Sequence, residues 1–371
     1  MNLKRKIILI AAALPVVFTS LYISNHLQPF SSTKESENNP QKELNFVVSK
    51  NSEIGELSRA SIERELNHPN PRIIILWTTW RSGSTYTGEL LAKALPKTFF
   101  STEPLRWWRE VILHKNDSKS NAAFQFLNDL LHCHVHPGYT KQVTSLRNFQ
   151  YYMRWNSYFS KRCVPLDACT NTTFISDMCK TANIHIAKVI RLSLKWAWRL
   201  LYAEDLDIQI IYLARDPRAV LSSRSRRIFC KDDTCKDPDT VCKLLEEDLI
   251  EVEKMSQRFP KRFKFVQYER IFEDARAGLE DLMSFVNLPV SEAQLQLLHP
   301  TLTDPDAPFA INKDAKSQVD RWRTTNGFEK VARYQRACLR PISALGLRVF
   351  ESEEELLNLS LPLIVSYPFL S

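Results

Sequence analysis

Residues 72–91 read RIIILWTTWRSGSTYTGELL. Ile73, Ile74, Ile75 and Leu76 make a short, mostly β-branched apolar run, which reads as a buried parallel strand. After Thr79 and Trp80 the chain turns small and hydroxylated, Arg81-Ser82-Gly83-Ser84-Thr85, with a glycine able to take a turn conformation. Thr87 to Ala94 is predicted to be a helix, with Leu90, Leu91 and Ala94 spaced to pack on the sheet. Strand, hydroxyl-rich loop and helix form a geometry that collects phosphate. N–H groups at the helix N-terminus point at an anion, and the helix dipole favours it. An ordinary capped turn has the same look, so a second motif must decide.

That motif follows another strand. Residues 207–214, DIQIIYLA, are the strongest strand signal downstream, and Arg215-Asp216-Pro217-Arg218 comes at once, with a helix from Ala219. Ligands of open parallel sheets bind at such carboxyl ends. Arg215 offers a guanidinium fork suited to phosphate, and Pro217 fits a first helical turn. Ser223 lies about two helical turns further on and can present a hydroxyl to the same side. The competing reading is a salt-bridged helix start. Two anion-collecting loops fit a ligand with two separated phosphates better.

Further strands are predicted at 98–102, 184–192 and 263–268, and a helix at 243–258. Strands alternating with helices predict an α/β class, a single P-loop-like domain with a central parallel sheet flanked by helices. Only seven glycines occur, and no G-x-G-x-x-G is among them.

The chain has 371 residues, enough for a full core, and a formal net charge of +8, which suits an anionic ligand. Lys4-Arg5-Lys6 precede an apolar run from Ile7 to Ile23, with no charge again until Lys34. The positive-inside rule reads this as a cytoplasmic tail (1–6), a transmembrane signal anchor (7–23), a polar lumenal stem (24–68) and a globular domain (69–371). A cleaved signal peptide competes, but no small-x-small site follows the run. This topology disfavours nucleic acid as partner despite the charge. Eight cysteines and no C-x-x-C suggest disulfides in an oxidising lumen, the clusters 163/169/179 and 230/235/242 stapling loops. Sequons stand at Asn116, Asn171 and Asn358.

The pair WRSGSTYTGELL and YLARDPRAVLSSR resembles the two nucleotide-binding motifs of Golgi carbohydrate sulfotransferases, closest to the galactose/N-acetylglucosamine/N-acetylgalactosamine 6-O-sulfotransferase group. The resemblance extends to Glu103-Pro104, the cysteines after the second motif, and Cys338…Leu345-Gly346. It implies a single-pass type II protein of the Golgi membrane, with 3′-phosphoadenylyl sulfate (PAPS) as donor, a glycan acceptor and no metal. Arg81, Ser82, Gly83, Ser84, Thr85, Tyr86 and Thr87 would hold the 5′-phosphosulfate, and Arg215 and Ser223 the 3′-phosphate. Arg323, in Arg321-Trp322-Arg323, would lie in a C-terminal loop over the nucleotide. Soluble relatives generally carry a lysine where Arg81 stands; Arg81 would act as a fixed charge on the departing phosphate.

A sugar hydroxyl also needs a base. Glu103 is the first candidate, with a brace for Arg106 or Arg81 as the alternative; His134 and His136 come next. Lys188 would touch the transferred sulfuryl group, or be a solvated strand lysine. Arg224, Arg226 and Arg227 suit an acidic glycan or a solvated face. Trp107, Trp108, Trp196 and Trp198 suit sugar stacking or a core. A P-loop kinase lacks its first glycine and lysine here. A non-catalytic glycan-binding protein on the same scaffold is the remaining alternative. Neither the acceptor sugar nor the oligomeric state is legible in the sequence.

Overall fold

Five parallel strands form one sheet in the order β2-β3-β1-β4-β5: Arg72–Thr78, Thr98–Thr102, Ile184–Val189, Ile208–Ala214 and Phe263–Gln267 for β1 to β5. This is seen in a computed structural model that describes residues 71–144, 156–160, 162–163, 169–298 and 315–367. The expected parallel α/β arrangement is therefore what the chain adopts. β1 is buried along its whole length, as are its neighbours β3 and β4, which explains the aliphatic runs of β1 and β4.

The helices that matter to the site are α1 (Ser84–Ala92), α2 (Ser118–Leu131), α3 (Pro137–Thr144), α4 (Pro217–Arg224), α5 (Pro238–Arg258), α6 (Tyr268–Ile271), α7 (Ala315–Thr325) and α8 (Phe328–Ala337). Helix α1 begins three residues earlier than the sequence pattern suggested. Gly83 takes φ 88° and serves as its N-cap, so Ser84 and Thr85 sit in the first turn instead of the loop. The strand at 184–192 is shorter than expected, because the chain turns out of the sheet after Val189.

All eight cysteines are paired: Cys133–Cys179, Cys163–Cys169, Cys230–Cys235 and Cys242–Cys338. Two pairs staple short loops within the clusters read from the sequence. The other two reach out of them, and Cys242–Cys338 ties α5 to the end of α8. The anchor and stem expected over 7–68 lie outside the described residues. Among the described residues no helix is long and apolar enough to cross a membrane.

Register prepares the site. Thr102 pairs with Lys188, and Lys188 pairs with Leu76, so Glu103 emerges one step beyond Lys188 at the carboxyl edge. β1 lies between β3 and β4 with its loop opening at that edge. All five strands deliver polar or charged residues there.

Candidate active site

The loop after β1 is held from inside by its own hydroxyls. Ser82, fully buried, donates to the Thr79 carbonyl (2.5 Å) and contacts the Thr78 hydroxyl, which donates to Leu213 of β4 (2.8 Å). Thr87 is buried against the Gly83 carbonyl, and the Tyr86 hydroxyl reaches the Leu297 carbonyl (3.3 Å). Burial raises the Tyr86 phenol to about 12, so it stays neutral. Ser82, Tyr86 and Thr87 thus shape the loop with their side chains. What the loop leaves exposed or half-exposed is Arg81, Gly83 and Thr85, at the N-terminus of α1.

Gly83 cannot be anything larger. A Cβ there would lie 2.0–2.1 Å from ring carbons of Tyr268, at a φ that other residues rarely adopt. Gly83→Ala is expected to lose roughly 2–5 kcal/mol of stability, from overpacking and a left-handed alanine together. The check is thermal melting, with Tyr268→Ala added to the variant. Partial recovery in the double variant is expected; an additive loss would mean the ring contact is not the cause.

The second motif divides into two tasks. Asp216 caps α4 at Arg218 N (2.8 Å) and pairs twice with the Arg218 guanidinium (3.0 and 2.8 Å), both residues fully buried. Arg218 continues to the Gln335 side chain and the Arg348 carbonyl, 2.7 Å each. The salt-bridged helix start is real, and it belongs to Asp216 and Arg218. Arg215 is left for the edge: it donates to the Arg81 carbonyl (3.2 Å) and the Gln318 carbonyl of α7 (2.6 Å), with its guanidinium over Tyr268 (4.6 Å). Arg81 Nε in turn donates to Ser223 Oγ (2.8 Å). The two motifs are thereby joined side to side.

Beneath them Arg224 is buried, donating to the carbonyls of Trp80 and Cys235 and to the Thr79 hydroxyl. Burial, and then the nearby Arg81 charge, bring its guanidinium down to about 9. Arg224 therefore braces the loop after β1, whereas Arg226 and Arg227 are exposed.

On the other side of β1, Glu103 and Lys188 come together. Lys188, 2 % exposed, reaches the Thr85 hydroxyl (3.3 Å) and Glu103 Oε1 (3.4 Å). Glu103 Oε2 accepts from Arg191 (2.9 Å). Burial pushes the Glu103 carboxyl up, but Lys188, Arg191 and Arg106 outweigh it and hold the group down to about 2. Lys188 is no solvated strand residue; it links Thr85 of α1 to the Glu103 carboxylate.

Three residues that follow strands carry positive φ without being glycine: Arg81 (70°), Glu103 (49°) and Arg191 (86°). Such backbone costs about 1–3 kcal/mol each and tends to mark function. Arg191, Tyr268 and Glu269 were not singled out from the sequence. The signal for Arg191 was available: like Arg81 and Arg215, it stands within three residues of a strand's carboxyl end. Glu269 is buried, accepts from Asp216 N (3.0 Å) and lies 3.9 Å from Arg215; burial and then Asp216 raise its carboxyl to about 7.

Other candidates are placed elsewhere. Arg323 is a correction. It is fully buried, and its guanidinium serves Asp320 and the carbonyls of Leu356, Asn358 and Leu361, so it fastens α7 to the C-terminal segment. His134 and His136 are exposed, and among the described residues neither shares a bond with Glu103, Lys188 or Arg81. Trp196 stacks on Phe124, Trp198 bonds Glu251 and Trp108 packs edge-on to Phe126, whereas Trp107 is 69 % exposed.

Residues 71–304 match the family model described as "Sulfotransferase domain". Carbohydrate sulfotransferase 5 of Mus musculus is 24% identical over 339 residues, covering 79% of this chain and 85% of that protein. Carbohydrate sulfotransferase 6 of Homo sapiens is 23% identical over 338 residues, with the same two shares of 79% and 85%. Among solved structures, the sulfotransferase domain from the Synechococcus PCC 7002 olefin synthase superposes loosely: TM-score 0.40, 20% identity, 73% of this chain and 95% of that one. The match spans well over half of the chain and takes in both loops and all five strands, and the protein belongs to the sulfotransferase-domain family.

Proposed function

We propose that this protein transfers a sulfuryl group from PAPS to the 6-hydroxyl of galactose, N-acetylglucosamine or N-acetylgalactosamine in a glycan, of keratan or chondroitin type or on N- or O-linked chains. The observation that carries the reading is the joining of two anion loops by Arg81 and Ser223, with Glu103 and Lys188 facing the same edge. Arg81, Gly83, Ser84, Thr85 and the α1 N-terminus suit the 5′-phosphosulfate; Arg215 and Ser223 suit the 3′-phosphate. Arg215 stands at the strand end with its Nε 3.9 Å from the Glu269 carboxylate, which fixes the direction of the guanidinium. The donor supplies a sulfuryl group on a phosphate leaving group. The sugar O–S bond forms as the S–O bond to phosphate breaks, Glu103 accepting the hydroxyl proton. Arg81 and Lys188 provide positive charge where negative charge gathers.

The proposed setting is the Golgi lumen, behind an anchor at 7–23 and a stem at 24–68. Four formed disulfides and three exposed sequon asparagines, Asn116, Asn171 and Asn358, support it. Calorimetry of the full-length protein with 3′-phosphoadenosine 5′-phosphate (PAP) tests the reading. Arg215→Ala should weaken binding by about 10–100-fold, the worth of a charge-assisted hydrogen bond. A folded protein that binds no PAP would overturn the enzyme and leave glycan binding alone.

A further inference from the structure

Arg191 sits just past β3 and is 2 % exposed. Its φ of 86° is held because the residues around it are sewn to the segment after the Pro104–Trp108 turn. Leu113 N donates to the Arg191 carbonyl (2.7 Å), Ser193 N donates to the Leu113 carbonyl (3.2 Å), and Leu113 bridges Leu192 in parallel. This strained backbone aims the guanidinium back at the edge of the sheet. One nitrogen donates to Glu103 Oε2 (2.9 Å), Nε donates to the Arg109 carbonyl, and another lies 4.0 Å from Glu110. The plane lies over the Trp80 ring at 5.2 Å. Trp80 directly precedes Arg81, and its carbonyl is pinned by two Arg224 donors at 3.1 and 3.0 Å.

We propose that Arg191 is a positioning residue: it orients the Glu103 carboxylate for the acceptor and ties it, through Trp80, to the donor loop. The proposal rests on the role given to Glu103 above. A planar fork suits this task and an ammonium does not, because carboxylate, carbonyl and ring must be met from one rigid group. The charged groups facing Glu103 are Lys188 of β3, Arg191 and, from the Pro104–Trp108 turn, Arg106; Glu110 stands on the far side of Arg191. Two of the three cations are fixed by strand register or backbone sewing. The carboxylate is thereby set against α1, whose Thr85 hydroxyl shares Lys188.

The test is a carbon-13 carboxyl titration by NMR on the full-length protein, with the Glu103 signal identified by its loss in Glu103→Gln. In the native protein the signal should stay ionised down to the acid limit of folding. Removing the adjacent cation in Arg191→Met should raise its midpoint by about 1–3 pH units. Arg191→Lys, which keeps the charge and the fold but not the fork, should give a smaller rise. In both variants kcat should fall, by about 10²-fold for Arg191→Met as expected for a misplaced catalytic group, with PAP affinity changing far less. An unshifted Glu103 titration in both variants, with normal PAP binding, overturns the Arg191 role alone. Absence of PAP binding by the native protein overturns the role and the sulfotransferase mechanism together.

Discussion

Arg81→Ala is expected to lower sulfuryl transfer by about 10²–10³-fold, the effect of deleting one preorganised group aimed at developing charge. The side chain is exposed and its Nε donates to the hydroxyl of the half-buried Ser223, so the fold should survive its removal. What is lost is a permanent cation held where the loops after β1 and β4 meet. Arg81→Lys should recover only part of the rate, because the lysine reaches the same region without the guanidinium fork that can serve Ser223 and an anion together. Transfer of labelled sulfate from PAPS, at saturating donor and acceptor, reads the effect. An unchanged kcat with weaker donor binding would assign Arg81 to ground-state binding and remove it from the chemistry.

Both strand–loop–helix units were legible in the sequence because each is a local pattern: an apolar run, then small or basic residues, then a helix. The same locality explains what was missed. Tyr268 matters because its ring fills the space over Gly83 and underlies Arg215, a meeting of β1, β4 and β5 that no spacing records. Arg323 lies in a run of basic and aromatic residues, a pattern that suits a phosphate. Its direction is set by the face of α7 that meets residues 355–361, whose backbone carbonyls take up the guanidinium. Glu103 and Lys188 were each named alone. Only the pairing of Thr102 with Lys188 across β2 and β3 shows that they form one unit, with Arg191 as its third member.

That unit gives the second large effect. Glu103→Gln keeps the size of the side chain and one acceptor oxygen, but removes the charge that Lys188 and Arg191 surround. Loss of a general base typically lowers turnover by about 10²–10⁴-fold, and that range is expected here. PAP affinity should hardly change or should rise, since Lys188, which also bonds the Thr85 hydroxyl, is released from the carboxylate. A second consequence separates the charge from the chemistry. The carboxyl is held down to about 2, so its contribution to stability is complete above the ordinary carboxylate range near 4.5 and is lost as pH falls through 2. Glu103→Gln should therefore melt below the native protein at pH 7, and the gap should narrow steadily below pH 4.5. Paired melting curves between pH 7 and pH 3, beside kcat at pH 7, decide the point. A constant gap would mean that the carboxylate is not held by Lys188 and Arg191. A closing gap with undiminished kcat would leave Glu103 as a brace, and the acceptor proton would have to go to another group.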